Sequence, residues 1–293
     1  MTDTLAGVRP DWVDDDLFPF ESRFMEIDGN VVHHVDEGPR NGPTLLFLHG
    51  NPTWSFLFRE VVGALREDVR CVALDYPGFG LSTAAPGYRH YPEDHAAVVT
   101  GVVDALGLTG VTLVGQDWGG PIGLTAALRR PEAFERLVFA NTWAWSTNGD
   151  PWFELASRVG GAAPMRLLAR RSDLVVNSFL AMGHRRRTPT TAEMTHYRRA
   201  QATPARRQAA ALLPGRITGG RAFFAELEAG LPDLAGLPTL IVWGGADKVF
   251  RPKERERLEA AFPDHETVVV PDAGLYVPSD APEEFAQAVR AWL

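Results

Sequence analysis

Short, largely apolar runs bounded by turn-forming residues recur along the chain: Val31–Val35, Thr44–Leu48, Cys71–Leu74, Val111–Val114, Leu137–Phe139, Thr239–Val242 and Thr267–Val270. Each has the length of a strand. Several are apolar throughout, as strands covered on both faces are. Between them lie helical patterns. Phe56–Leu65 and His95–Leu106 carry apolar residues at three- and four-residue spacing, and Gly119–Leu128 is rich in small and apolar residues. Ala281–Leu293 follows Asp280, a candidate N-cap, with Glu283 three residues on in a capping-box pattern. Strands alternating with helices predict an α/β fold with a mostly parallel central sheet flanked by helices.

The alternation stops between about Asn148 and Arg216, where the pattern is helical, rich in Arg and without a good strand candidate. The expected organisation is a core in two parts, 1–147 and 217–293, interrupted by a helical cap, 148–216. A chain of 293 residues and 32.1 kDa has room for one large domain with such an insertion.

Composition narrows the picture. With 45% hydrophobic and 23% charged residues, the chain is neither disordered nor fibrous. Its net charge of −8 argues against a dedicated nucleic-acid binder. That charge is uneven: the 148–216 segment is positive and the remainder negative. The segment is expected to be solvated, or to dock on the acidic body or on another copy. Its arginines are not interleaved with aromatics for stacking on bases. Cys71 is the single cysteine, which excludes an internal disulfide and a cysteine-based metal site. A reducing compartment, hence a cytoplasmic location, is expected. No apolar run approaches the ~18 residues of a membrane span, and no secretory pattern opens the chain. No membrane partner is therefore expected.

The chemistry concentrates at a turn. Val111–Val114 runs into Gly115-Gln116-Asp117-Trp118-Gly119-Gly120, and a helical pattern follows. Strand, Gly-x-Asp-x-Gly and helix match a nucleophile elbow, whose central residue projects at the C-terminal edge of the sheet. Asp at the centre, in place of Ser or Cys, points to displacement at a saturated carbon. The carboxylate expels a leaving group, an ester forms, and water attacks the ester carbonyl. Substrates of this logic are alkyl halides and epoxides.

The strand Thr44–Leu48 ends in His49-Gly50-Asn51-Pro52-Thr53-Trp54. The backbone N–H groups of Asn51 and Trp118 are the natural oxyanion donors for ester hydrolysis. The side chains of Asn51 and Trp118 are uncharged donors, suited to holding a departing halide ion. His49 reads as structural, and so does the loop Asp75-Tyr76-Pro77-Gly78-Phe79-Gly80-Leu81-Ser82.

These three motifs, in this order, resemble those of haloalkane dehalogenases of the α/β-hydrolase superfamily. The likeness runs from Phe18-Pro19-Phe20-Glu21-Ser22-Arg23 to the C-terminal helix and includes Met194-Thr195-His196-Tyr197-Arg198. It implies an α/β-hydrolase fold with an inserted helical cap. It also implies an Asp-His-Asp triad with Asp117 as nucleophile and Asp247, in Gly244-Gly245-Ala246-Asp247-Lys248, as the acid that orients the histidine. Epoxide hydrolases share the elbow but resemble each other in a pair of cap tyrosines; here only Tyr197 falls in the cap.

The histidine that the resemblance implies belongs in Pro271-Asp272-Ala273-Gly274-Leu275-Tyr276-Val277-Pro278. Leu275 occupies its position. None of the eight histidines (His33, His34, His49, His90, His95, His184, His196, His265) lies in that loop. Leucine cannot take a proton from water. Alkylation of Asp117 does not need the base, whereas ester hydrolysis does, and a general base contributes ~10²–10⁴-fold. Hydrolysis is therefore expected to be impaired.

Three readings of the leucine stand: a deliberate substitution that traps an intermediate, a natural change to a non-hydrolytic or ligand-binding role, and a base relocated to His184 or His196. The expected ligand is a small apolar molecule, a halogenated alkane above all. Trp143, Trp145, Trp152, Phe153, Phe179, Leu180 and Met182 are the candidates for an apolar pocket. No metal and no organic cofactor is implied, and an oligomer is open.

Overall fold

The computed structural model describes residues 7–293. Two strands, β1 (Arg23–Ile27) and β2 (Asn30–Glu37), open the sheet as an antiparallel hairpin. Asp28 and Gly29 close it in left-handed conformations (φ 50° and 76°), the kind of turn an Asp-Gly pair favours. Six further strands follow: β3 (Thr44–Leu48), β4 (Arg70–Leu74), β5 (Val111–Asp117), β6 (Phe134–Thr142), β7 (Thr239–Gly244) and β8 (His265–Val270). The order is β1-β2-β4-β3-β5-β6-β7-β8, antiparallel from β1 to β4 and parallel from there on.

The seven apolar runs all fall within strands. β1 has no such run, because RFMEI is half-buried and Arg23 and Glu26 break its apolar stretch. The central strands are buried at every position in β3 and β5 and nearly so in β6, so their faces show no polar side.

Helices cover both faces. α1 (Arg59–Leu65) follows a 3₁₀ turn at Ser55–Phe58, and α2 (Pro92–Ala105) and α3 (Gly119–Arg129) come next. Between β6 and β7 lie α4 (Pro151–Gly161), α5 (Ala163–Arg171), α6 (Leu174–Gly183), α7 (Thr191–Ala200), α8 (Arg207–Gly219) and α9 (Arg221–Leu234). Arg216 therefore falls inside α8. α9 returns to the sheet layer, where a Cβ on Gly230 would lie 2.6 Å from the Leu128 side chain of α3. The chain ends with α10 (Pro252–Ala261), α11 (Val277–Asp280) and α12 (Pro282–Trp292).

The reading of Asp280 as the cap of the last helix is corrected. α12 starts at Pro282 behind Ala281, and Asp280 closes the short helix α11 instead. Its buried carboxylate accepts from the backbone N–H groups of Arg185, Arg187 and Gly274 (2.8, 3.0 and 2.7 Å) and from Arg186. It thus ties the α6–α7 connection to the loop after β8.

Register sets the site. Leu48 pairs with Gly115, Asp117 with Thr142 and Gly244 with Val270. The C-terminal ends of β3, β5, β7 and β8 consequently lie along one edge, where α/β folds place their ligands.

Candidate active site

The turn after β5 is built by close approach. A Cβ on Gly119 would lie 1.9 Å from the Leu48 carbonyl oxygen, and one on Gly120 would lie 2.0 Å from Thr142 Oγ1. Both clashes involve groups that cannot yield, so glycine is required on each side of the turn. Asp117 itself is left-handed (φ 51°), a conformation that costs a non-glycine residue roughly 1–3 kcal/mol and tends to persist where its surroundings enforce it. Thr142 Oγ1 donates to the Asp117 carbonyl at 2.5 Å and helps to enforce it.

The Asp117 carboxylate is buried. Its Oδ1 accepts from the Asn51 N–H at 2.9 Å, and the Trp118 N–H also hydrogen-bonds to the group. Gly50 admits this approach, because a Cβ there would lie 2.5 Å from Asp117 Oδ1. Burial nonetheless outweighs the two donors and lifts the Asp117 pKa to about 7, with a smaller push from the negative charge of Asp247.

Asn51 and Trp118 both meet this carboxylate through their backbone N–H groups. The Asn51 amide nitrogen donates a long 3.3 Å bond to the Ala210 carbonyl of α8, and its Oδ1 is buried without a partner. Trp118 packs edge-on against Trp143 at 4.9 Å and near Phe224 at 6.0 Å. Trp143, one of the apolar candidates from the sequence, is thus packed against Trp118. Trp152 and Met182 do not belong to it: each is about half exposed, so their place in the pocket is corrected.

Asp247 follows β7 and is held by neutral donors. Asn141 Nδ2 donates to Oδ2 at 2.9 Å and the Val249 N–H to Oδ1 at 2.7 Å. Desolvation raises its pKa to about 6. Asn141, left-handed at the end of β6 (φ 37°), also receives the Gly244 N–H at 2.7 Å and so positions the whole turn. Sequence reasoning passed over Asn141; its one signal is a polar residue ending the apolar run of β6.

Leu275 is buried between these two carboxylate-bearing turns. Its carbonyl accepts from Gln116 Nε2, beside Asp117, at 3.0 Å. The preceding Gly274 lies against Gly244, where a Cβ would come within 2.0 Å of the Gly274 carbonyl oxygen. Tyr276, also passed over, is fully buried next to Leu275, and its hydroxyl donates to the Asn51 carbonyl at 3.2 Å. Burial and the negative charges of Asp117 and Asp247 push this phenol upward, so it stays protonated.

No histidine hydrogen-bonds to Asp117 or Asp247 among the described residues, which include all eight. His184 Nδ1 donates to the Leu180 carbonyl at 3.0 Å, and its Nε2 pairs with Ser279 Oγ at 3.1 Å. His196 Nδ1 donates to the Ala192 carbonyl, and its Nε2 accepts from the Asp14 N–H at 3.0 Å. Both relocated-base candidates thus have their two nitrogens engaged elsewhere. His49 bridges the Gly50 carbonyl and the Tyr76 N–H, and burial lowers its pKa to about 4. Asp75 is likewise occupied, accepting from Ser55 N–H and Leu81 N–H and pairing with His33.

Comparisons with known proteins agree with this architecture. A family model described as alpha/beta hydrolase fold matches residues 43–282. Haloalkane dehalogenase 2 of Mycobacterium tuberculosis is 41% identical over 278 residues, covering 94% of this chain and 96% of its own. Cis-3-alkyl-4-alkyloxetan-2-one decarboxylase of Shewanella oneidensis is 29% identical over 291 residues, covering 95% of this chain and 90% of its own. Among solved structures, haloalkane dehalogenase DbeA from Bradyrhizobium elkani shares the fold with a TM-score of 0.85 at 24% identity, covering 93% of this chain and 97% of that one.

Proposed function

The chain belongs to the α/β hydrolase family, with haloalkane dehalogenases among its relatives, and on that premise we propose that it performs the first half of a dehalogenation and then stalls. The ionised Asp117 carboxylate attacks a halogen-bearing sp³ carbon. A C–O bond forms, the C–X bond breaks with its electron pair, and halide leaves toward the Asn51 amide and the Trp118 indole. The product is an alkyl ester on Asp117.

The Asn51 and Trp118 N–H groups already hold this carboxylate, and they suit the oxyanion that water attack would create. That attack needs a base. Leu275 supplies none, and Asp247 is left with no imidazole to orient. The observation that carries this reading is the buried Asp117, complete in its donors and without a histidine partner.

A second reading is reversible binding of an apolar ligand without chemistry. It draws on the raised Asp117 pKa, which leaves much of the carboxylate neutral and non-nucleophilic near pH 7. Intact-protein mass spectrometry after incubation with 1-bromohexane or 1,2-dibromoethane separates the two. The proposal expects a stable single alkyl adduct that is absent in Asp117→Asn. Neither adduct nor released halide would leave binding as the function.

A further inference from the structure

α4 and α5 are consecutive helices joined at Ala162, and both pack on α8. The inner face of α4 is settled. Phe153 and Ser157 are buried, Ser157 Oγ donates to the Pro214 carbonyl at 2.8 Å, and a Cβ on Gly161 would lie 2.8 Å from the Gly215 backbone. The outer face is apolar. At 100° per residue Trp152, Leu155, Ala156 and Val159 share one side of α4. Trp152, Leu155 and Val159 are 48–58% exposed, and so are Leu167 and Leu168 of α5. An exposed apolar strip of this size is a recognition surface or a liability.

The charge beside it narrows the partner. The arginines of the insertion differ in what they meet, and Arg185 and Arg199, away from α4 and α5, are exposed as well. Arg186 and Arg187 dock on the body through Glu284 and Ser279, Arg206 donates to the Gly80 carbonyl, and Arg207 pairs with Asp173. Arg158, Arg166, Arg170 and Arg171, on α4 and α5, are exposed and have no ion-pair partner among the described residues. The acidic groups on these two helices are few: Glu154 accepts from the Gly149 N–H at their start, and Asp173, just beyond, is paired with Arg207.

We infer that this face is a peripheral docking surface for an anionic lipid bilayer. Apolar side chains flanked by free arginines on an amphipathic helix match the interfacial mode, with Trp and Leu at the acyl boundary and the guanidinium groups at the headgroup phosphates. The rest of the chain is net acidic and disfavours approach to such a surface, whereas this face favours it. Pairing of two copies across the same patch would set the four arginines against their own counterparts. No helix among the described residues is long and apolar enough to cross a membrane, so the contact is superficial. The absence of a spanning run, which led to the expectation of no membrane partner, does not bear on this mode. The inference is independent of the chemistry at Asp117.

The test is co-sedimentation of the full chain with vesicles of phosphatidylcholine alone or mixed with phosphatidylglycerol, at low and high salt. Binding to the mixed vesicles is expected to exceed binding to the neutral ones by at least about tenfold, and to weaken with salt. Trp152→Ser/Leu155→Ser/Val159→Ser and Arg166→Glu/Arg170→Glu/Arg171→Glu are each expected to remove it with an unchanged thermal melt. The arginine variant keeps the test open if the apolar one misfolds. Equal binding by wild type and both variants, or no binding to either vesicle, would overturn the inference. So would a concentration-dependent dimer that the apolar variant abolishes in analytical ultracentrifugation, since the face would then serve a second copy.

Discussion

At Asp117 two backbone donors favour the charged carboxylate and burial opposes it, and burial wins, with the pKa at about 7. Alkylation needs the charged form. Its rate is therefore expected to rise about tenfold per pH unit below 7 and to level off above, as read from adduct formation against pH. Stability carries the opposite sign. An unfolded Asp titrates near ~3.9, so folding favours the neutral carboxyl, and the stability this contributes is lost as pH rises from about 4 through about 7. Asp117→Asn does not titrate. Its melting temperature is expected to gain on that of the wild type as pH increases from 5 to 7.5, and a constant difference would contradict the burial argument. Tyr276 acts one step away, through the carbonyl of Asn51. Tyr276→Phe removes a hydrogen bond of about 0.5–1.5 kcal/mol. Alkylation is expected to slow roughly 2–10-fold with the pH midpoint unmoved, whereas a shifted midpoint would mean that the phenol tunes Asp117 directly. Asp117, Asn51 and Trp118 were legible because Gly-x-Asp-x-Gly and His-Gly-Asn are local patterns. Tyr276 and Asn141 were not, since each matters only through strands brought together by the sheet.

At the scale of elements, sequence reading succeeded where one periodicity governs a segment. The central strands announce themselves because both faces are buried. β1, half-exposed, does not. The start of α12 failed for a different reason: Asp280 and Glu283 have the spacing of a capping box, but tertiary structure recruits the Asp280 carboxylate to four backbone N–H groups of two other segments. A local motif cannot report such competition. The clamp should be worth more than a cap. Hydrogen bonds to a charged group contribute about 1.5–3 kcal/mol each, and a chain of this size melts roughly 2–4 °C lower per kcal/mol. Asp280→Ala is accordingly expected to lower the melting temperature by roughly 5 °C or more and to expose amides 185–187 to hydrogen exchange. A loss of 1 °C or less, with those amides still protected, would show that the clamp is dispensable.

Across the whole molecule, the positive charge of the 148–216 segment includes arginines bonded to the body, such as Arg187 and Arg206, and exposed arginines on α4 and α5 beside apolar side chains. Composition showed the surplus but not this division, which depends on which side of each helix packs on α8. The fold was legible from strand–helix alternation, and the interruption of that alternation falls where six helices lie between β6 and β7. The site is legible as a two-carboxylate arrangement with Leu275 between its halves. Leu275→His should let Asp247 orient an imidazole and convert a single event into repeated turnover, provided Gln116 still holds the backbone of residue 275 as it does now. The most direct measurement counts halide released and alkyl group retained in the same sample of wild-type protein. One equivalent of halide per chain is expected, with a matching adduct on Asp117 and no further release over hours. Many equivalents of halide with no retained alkyl group would show that water attacks the ester without a histidine, and would contradict it.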